Sequence, residues 1–296
     1  MPDDLLSPKS DYIFKLLMGD ERTPEITADF LKSMLGLPEE EFTELQFLDT
    51  HLNPEEFLDK AGALDVKVRT RSGMMIDVEM QVSPYGEIRI RALFYIARLI
   101  SGQIKSGDDY EKIQKTISIL ILDYVEYADA EYHHVFELYD KRNEVSFTDL
   151  LEIHVFELLK VSDVDDGRRE WKWLKFLKLR GRVEFALLAK ESNMLELAVE
   201  KLVRYSLDPK VRSREELREK WLHDEASRMR SARESGKAEG KAEGKAEGKA
   251  EGKAEGKAEG KAEGMKEMVM KWRGKGYSNE KIADLLDVSV SDVAQM

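Results

Sequence analysis

The chain has no cysteine among its 296 residues. Without thiols it has neither a disulfide framework nor a thiolate metal site. It also lacks an apolar run of about 18 residues, which a membrane-spanning helix would need. Its first residues lack the basic and apolar regions of a secretion signal. From these absences we expect a cytoplasmic protein with no membrane partner.

Positive charge is also in deficit, because the formal net charge is −12. This balance disfavours a protein that coats nucleic acid over its whole surface. It is compatible with an enzyme acting on DNA, because such an enzyme needs only a local basic groove and a metal ion. The hydrophobic content of 42% is sufficient for one large core or two small ones.

The first third of the chain combines helical and extended patterns. Apolar residues recur at helical spacing over residues 11–18 and 24–35, and Gly36 is placed to end the second helix. Residues 44–50 read as a strand, and residues 51–61 as a loop.

A hairpin is predicted over residues 64–82, where apolar and polar residues alternate on both sides of a short break ending in Gly73. A three-residue loop with a left-handed glycine makes the numbers of paired residues sum to 144. Asp65 then faces Glu79, and Lys67 faces Asp77. A two-residue loop would set charged residues against the apolar face, so the pattern disfavours it.

Two carboxylates opposed on one sheet face repel each other. With their Cβ atoms roughly 5 Å apart, Asp65 and Glu79 are within reach of one hard metal ion, which prefers oxygen ligands. The alternative is an ordinary half-exposed hairpin whose charged face is solvated. The pattern alone leaves both readings open.

A long helix is predicted over residues 87–104. Its expected buried stripe consists of Ile90, Leu93, Phe94, Ala97 and Ile100. Arg91, Tyr95 and Arg98 share another side of the helix. That side is either a set of phosphate contacts or a solvated surface.

The remaining pattern indicates an α/β fold, a mixed β-sheet flanked by helices with a helical C-terminal extension. Residues 115–125 are typical of a central strand, and residues 132–139 and 150–158 of further strands. Residues 168–232 are helical in pattern. Their expected packing stripe is Trp171, Trp173, Leu174, Phe176 and Leu177.

Seven exact Lys-Ala-Glu-Gly repeats divide the end of the chain from the rest. Glycine at every fourth position costs roughly 1 kcal/mol each in a helix, and like charges recur at i, i+4. We therefore predict a spacer over residues 236–264 rather than an independently stable helix. It separates a domain over residues 1–235 from a small helix-turn-helix-like element over residues 265–296. Ser278 and Ser289 are the expected helix N-caps.

The second predicted helix of that element, from Val290 onward, has no basic residue and offers only Gln295 for base contacts. The pattern therefore favours a packing or partner-binding element over a DNA reader.

The order and spacing of several motifs resemble those of a known family. They are Asp65 with Glu79-Met80-Gln81, residues 10–18, residues 91–95, residues 107–110 and residues 156–160. Together they resemble the PD-(D/E)XK nuclease superfamily, and more closely the Rpn-type recombination-promoting nucleases and transposases. The resemblance covers most of residues 7–235 and extends to the repeat.

The resemblance implies a metal-dependent DNA endonuclease. Asp65, Glu79 and the backbone carbonyl of Met80 would hold Mg²⁺ or Mn²⁺, which polarises the phosphate and activates a water. The superfamily usually places Lys where this chain has Gln81, and an amide can hold a water but cannot take its proton. Asp11, Lys15 and Lys67 would have accessory roles, together with Arg91, Tyr95 and Arg98.

The competing hypothesis is a catalytically weak or inactive nuclease fold that binds DNA or a partner. Metal binding through Asp65 and Glu79 would discriminate between the two. The sequence leaves the preferred DNA structure and homo-oligomerisation open.

Overall fold

A computed structural model of the protein describes residues 5–48, 66–84 and 87–296. The chain divides into two compact units after Asp224. The first unit contains a mixed sheet of six strands with helices on both faces, as predicted. Its strands are β1 (Gln46–Phe47), β2 (Val66–Arg69), β3 (Met75–Gln81), β4 (Thr116–Leu122), β5 (His133–Asp140) and β6 (Val145–Glu157).

The sheet order is β1-β2-β3-β4-β6-β5. The β3–β4 and β4–β6 pairs are parallel, and the others are antiparallel. β4 is buried along its whole length, which confirms the prediction of a central strand. The strand expected over residues 44–50 is shorter, only Gln46–Phe47 within the described part, and the loop expected at 51–61 lies outside the described residues.

The helices of the described residues are α1 (Asp11–Met18), α2 (Pro24–Leu35), α3 (Ile88–Ser101), α4 (Trp171–Lys178), α5 (Arg182–Leu188), α6 (Asn193–Leu207), α7 (Pro209–Arg273), α8 (Asn279–Leu286) and α9 (Val290–Gln295). The predicted bounds of α1 and α2 are confirmed. Gly36 ends α2 in the left-handed conformation, with φ of 62°, which glycine adopts without steric cost.

The two faces of the sheet pack differently. Ile76, Val78 and Met80 lie in the main core with side chains of α1, α2, α4 and α6; we call this side the apolar face. The opposite side packs against α3 through a smaller core that includes Ile88, Ala92 and Leu120, and we call it the α3 face. Of the stripe predicted for α4, all five residues are buried.

The prediction for the buried side of α3 is wrong. The structure buries Ile88, Ala92 and Ile96, whereas Ile90, Leu93 and Phe94 are exposed. The helix carries two apolar stripes, and periodicity cannot choose between them. The stripe that faces the sheet is the one beside Arg91, which forms an ion pair with Glu79 on β3.

The repeat is helical in the structure, and its lack of independent helical stability stays a prediction. Residues 237–264 continue within α7, and every one of them except Gly264 is exposed. Nucleation is the costly step of helix formation, whereas extension adds one hydrogen bond per residue fixed. A repeat that continues an existing helix at both ends avoids the nucleation cost, which offsets part of the poor propensity of its glycines.

The second unit, from Glu225 to Met296, has a small core of its own formed by Val269, Ile282, Ala283 and Val293. The hydroxyl of Ser278 accepts a hydrogen bond from the backbone N–H of Lys281, and that of Ser289 accepts one from the backbone N–H of Asp292. Both predicted caps are therefore confirmed. Across the described residues, no helix is long and apolar enough to cross a bilayer.

Candidate active site under helix α3

The β2–β3 hairpin sets the geometry of the site. Val66 pairs with Val78 and Lys67 with Asp77, so the predicted register is confirmed over the described residues. The loop is closed by a hydrogen bond from the backbone N–H of Gly73 to the carbonyl oxygen of Thr70, with Gly73 at φ of 93°. Asp65 lies outside the described residues, so its pairing with Glu79 stays a prediction.

Glu79 points toward α3 and is almost fully buried, with 4% of its surface exposed. Two donors meet its Oε1 atom. Arg91 Nη2 is 2.7 Å away, and Gln81 Nε2 is 2.5 Å away. A buried carboxylate needs such partners because its desolvation is costly, and a guanidinium donor gives a strong, charge-assisted hydrogen bond.

Further polar side chains lie on the α3 face beside Glu79. Asp77 on β3 is buried and pairs in register with Ser118 on β4, and Thr116 is buried two residues earlier on the same face. Gln103 Nε2 donates to the Thr116 hydroxyl oxygen at 2.9 Å. Sequence reasoning missed this polar strip. The signal was available, because Thr116 and Ser118 interrupt an otherwise apolar strand at a spacing of two.

Tyr124, just after β4, is a second residue that sequence reasoning missed. It is buried in the small core under α3. Burial raises the pKa of its phenol to about 12, and the negative charges of Glu126 and Glu79 add to the shift. Tyr124 therefore stays protonated across the physiological range. No pattern in the sequence singles it out.

The other predicted site residues on the hairpin and α3 are placed as follows. Met80 is buried with its side chain on the apolar face, so only its backbone can serve the site. Lys67 is half-buried opposite Asp77. The half-buried Tyr95 packs its ring edge-on against Phe94, and the exposed Arg98 lies over the same Phe94 ring at 5.8 Å.

Asp11 and Lys15 are not brought to Glu79 by their helix. Both lie on α1, which packs in the main core on the apolar face, whereas Glu79 faces α3. Asp11 instead forms a buried ion pair with Arg218 at 2.5 Å and accepts a hydrogen bond from the backbone N–H of Tyr12. Its observed contacts join α1 to α7.

The donor atoms near Glu79 fit a hard divalent cation. Glu79 and Asp77 provide carboxylate oxygens on one face, and Ser118 provides a hydroxyl beside them. These are ligand types that Mg²⁺ and Mn²⁺ prefer. Arg91 already places a positive charge against Glu79. Among residues 5–48, 66–84 and 87–296, however, no three His, Asp or Glu side chains cluster closely enough to hold a metal.

A sequence-family model described as PD-(D/E)XK nuclease family transposase matches residues 8–232. Neither the curated proteins nor the solved structures include a significant match.

Proposed function

The chain belongs to the PD-(D/E)XK nuclease family of transposases, and on that premise we propose that it is a metal-dependent DNA endonuclease of the Rpn type. The supporting observation is the buried Glu79 on β3, within a hairpin whose register would place Asp65 opposite it. The same proposal includes action on DNA in the cytoplasm and leaves self-association open.

In this proposal Asp65, Glu79 and the carbonyl of Met80 hold Mg²⁺ or Mn²⁺. When bound, the ion polarises the phosphate and lowers the pKa of a water. In the absence of the ion, Glu79 Oε1 accepts hydrogen bonds from Arg91 and Gln81. Gln81 can orient a water through its amide but cannot accept the water's proton. Lys67 lies on the same face of the hairpin, and Tyr95 and Arg98 on α3 are the proposed phosphate contacts.

One observation favours the alternative, a nuclease fold that binds DNA or a partner with weak or no catalysis. Position 81 carries an amide where the resemblance implies an amine, and that amide is bonded to Glu79. A site without a general base depends more heavily on its metal ion. An endonuclease should therefore cleave DNA when the metal ion is present, whereas a binding protein should hold DNA or a partner without cleaving it.

The decisive experiment incubates the purified protein with supercoiled plasmid, first with Mg²⁺ or Mn²⁺ and then with EDTA. We expect nicking that requires the metal and is abolished by Asp65→Ala or Glu79→Ala. Glu137→Gln is the matched control, because Glu137 is an exposed glutamate on β5 of the same sheet. Unchanged nicking in both site variants would reject the proposal. DNA binding without nicking would favour the alternative.

A further inference from the structure

Position 81 provides no positive charge to the site. Gln81 lies two residues after Glu79 on the same side of β3, and its amide nitrogen donates to Glu79 Oε1 at 2.5 Å. Cleavage of a phosphodiester develops negative charge on the phosphate oxygens, and catalysis requires positive groups placed in advance to stabilise it. A neutral amide stabilises that charge far less than a cation does.

Arg91 donates to the same oxygen from helix α3. Its Nη2 atom lies 2.7 Å from Glu79 Oε1, and the side chain comes from the first turn of α3. Two donors within hydrogen-bond distance of one atom cannot be more than about 5 Å apart. The guanidinium therefore lies beside the Gln81 amide, where a charged residue at position 81 would place its own cation.

The side chains of Arg91 and Glu79 differ in their exposure to solvent. Arg91 is 31% exposed along its side chain, whereas Glu79 is 6% exposed. Glu79 is thus fixed inside the structure, and Arg91 connects it with the solvent side, from which DNA would approach. Arginine suits this position because its planar group binds carboxylates and phosphates through similar geometry.

The other arginines of α3 have different contacts. Arg89 is paired with Glu126 at 3.0 Å and is 70% exposed, and Arg98 lies over the Phe94 ring. Arg91 is therefore the arginine of α3 that contacts Glu79. The exposed Arg89 provides a control on the same helix, because it carries the same charge without touching the site.

We infer that Arg91 supplies the positive charge that Gln81 lacks. In the metal-free protein it neutralises Glu79. When a divalent ion occupies Glu79, Arg91 is displaced toward the phosphate of the bound DNA and stabilises the charge that develops there. A guanidinium has only donors and no acceptor for a water's proton, so Arg91 does not act as the base. The inference rests on the proposed nuclease function.

The simpler alternative is that the Arg91–Glu79 pair only anchors α3 to the sheet. The two readings predict opposite effects of removing Arg91 on the affinity for metal. A competing cation weakens metal binding, so its removal tightens the binding or leaves it unchanged. An anchor that holds Glu79 in position makes the opposite prediction, because its loss disorders the ligand and weakens metal binding.

The test compares wild type, Arg91→Ala, Arg91→Lys, Gln81→Lys, the double variant Arg91→Ala/Gln81→Lys, and the control Arg89→Ala. Each is measured for Mn²⁺ affinity by calorimetry without DNA and for plasmid nicking. We expect Arg91→Ala to slow nicking at least about 100-fold while binding Mn²⁺ at least as tightly as wild type. Arg91→Lys should retain partial nicking, and Arg89→Ala should match wild type in both measurements.

The double variant is the critical one. Because Gln81→Lys places a cation in the same region, it should restore most of the nicking lost in Arg91→Ala. A double variant as slow as Arg91→Ala, or weaker Mn²⁺ binding by Arg91→Ala, would overturn the inference in favour of the anchor.

Failure of the proposed function has a separate signature. If wild type binds Mn²⁺ without nicking DNA, the proposed nuclease activity is rejected. The Mn²⁺ affinity of Arg91→Ala then still decides whether Arg91 competes with metal at Glu79. A wild-type protein that neither binds Mn²⁺ nor nicks DNA overturns both proposals.

Discussion

Two glutamates of the first unit are buried to almost the same extent but differ in their hydrogen-bond partners and in the charges around them. Glu79 is 4% exposed and Glu215 is 3% exposed. Glu79 receives hydrogen bonds from a guanidinium and an amide. For Glu215, on α7, burial raises the pKa to about 7, and the nearby Asp11 and Glu219 add to the shift, although Ser10 and Arg218 oppose it.

The difference shows that burial alone does not assign a role to a carboxyl group. Within the described residues, the Oε2 atom of Glu215 has no hydrogen-bond partner. A group that is partly protonated at neutral pH is a poor ligand for a divalent ion, which requires the ionised form. Glu79 has the donors that stabilise a charged carboxylate. The proposed metal-binding role therefore suits Glu79, and we expect Glu215 to contribute a pH dependence to stability.

The largest expected effect compares the same substitution at both positions. Glu79→Gln keeps the size of the side chain and removes its charge, so metal-dependent nicking should fall by about 10⁴-fold, equivalent to about 5 kcal/mol. Glu215→Gln should leave nicking within about twofold, because Glu215 has no proposed contact with metal or DNA. Rates are measured on supercoiled plasmid under identical metal concentrations. Equal losses of nicking rate in Glu79→Gln and Glu215→Gln would contradict the distinction between the two glutamates.

The next effect concerns the ion pair beside Glu215. Arg218 is buried and pairs with Asp11 at 2.5 Å. Arg218→Ala leaves Asp11 buried without its cation, which should cost about 3–5 kcal/mol of unfolding free energy. Urea denaturation measures this loss. The control is Arg228→Ala, which removes an exposed arginine paired with Glu225 on the same helix and should change stability by less than about 0.5 kcal/mol.

A loss below about 1 kcal/mol for Arg218→Ala would mean that Asp11 finds other partners. Asp11 would then be open to the accessory role that its sequence motif predicts.

Glu215 should also make stability depend on pH. Its pKa is about 7 in the folded protein and 4.5 in the reference state. Below pH about 4.5 both states are protonated. As pH rises through about 7, the unfolded state has released a proton that the folded state retains, so folded stability falls by about 3 kcal/mol.

Glu215→Gln should remove this loss, because a glutamine does not titrate. The variant should therefore be more stable than wild type by about 3 kcal/mol at pH 8, with a much smaller difference at pH 4.5. Urea denaturation at the two pH values gives the comparison. A constant difference between the proteins across this range would show that Glu215 does not titrate as proposed.

Local patterns in the sequence predicted much of this structure. Alternation and the Gly73 loop gave the correct register for Lys67 and Asp77, because one face of a hairpin must be apolar when it packs. Helical spacing and Gly36 gave the bounds of α2. In each case the signal lies within about ten residues of the element that it predicts.

Contacts between distant residues were not predictable in this way. Asp11 and Arg218 are 207 positions apart, and no periodicity connects them. The buried stripe of α3 lies beside Arg91, whose pair with Glu79 joins residues of two separate elements, and spacing along the helix alone does not reveal it. The sequence therefore predicted a hairpin with carboxylates and named Arg91 as a candidate phosphate contact, but it did not predict the pairing of Arg91 with Glu79.

The repeat helix provides the smallest expected effect. Its seven glutamates are exposed, in contrast to both Glu79 and Glu215. Deleting residues 237–264 removes side chains that bury almost no apolar area, so the free energy of unfolding of the first unit should change by less than about 0.5 kcal/mol.

Urea denaturation is followed by tryptophan fluorescence in a Trp272→Phe background, so that the signal comes from the first unit, where Trp171 and Trp173 lie in the core. DNA affinity and sedimentation are measured beside it. A changed affinity or assembly state with unchanged stability would assign the second unit a role that depends on spacer length. A drop of several kcal/mol in the free energy of unfolding would show instead that the repeat stabilises the first unit. Exposed residues of the repeat would then contribute as much to its stability as buried glutamates do.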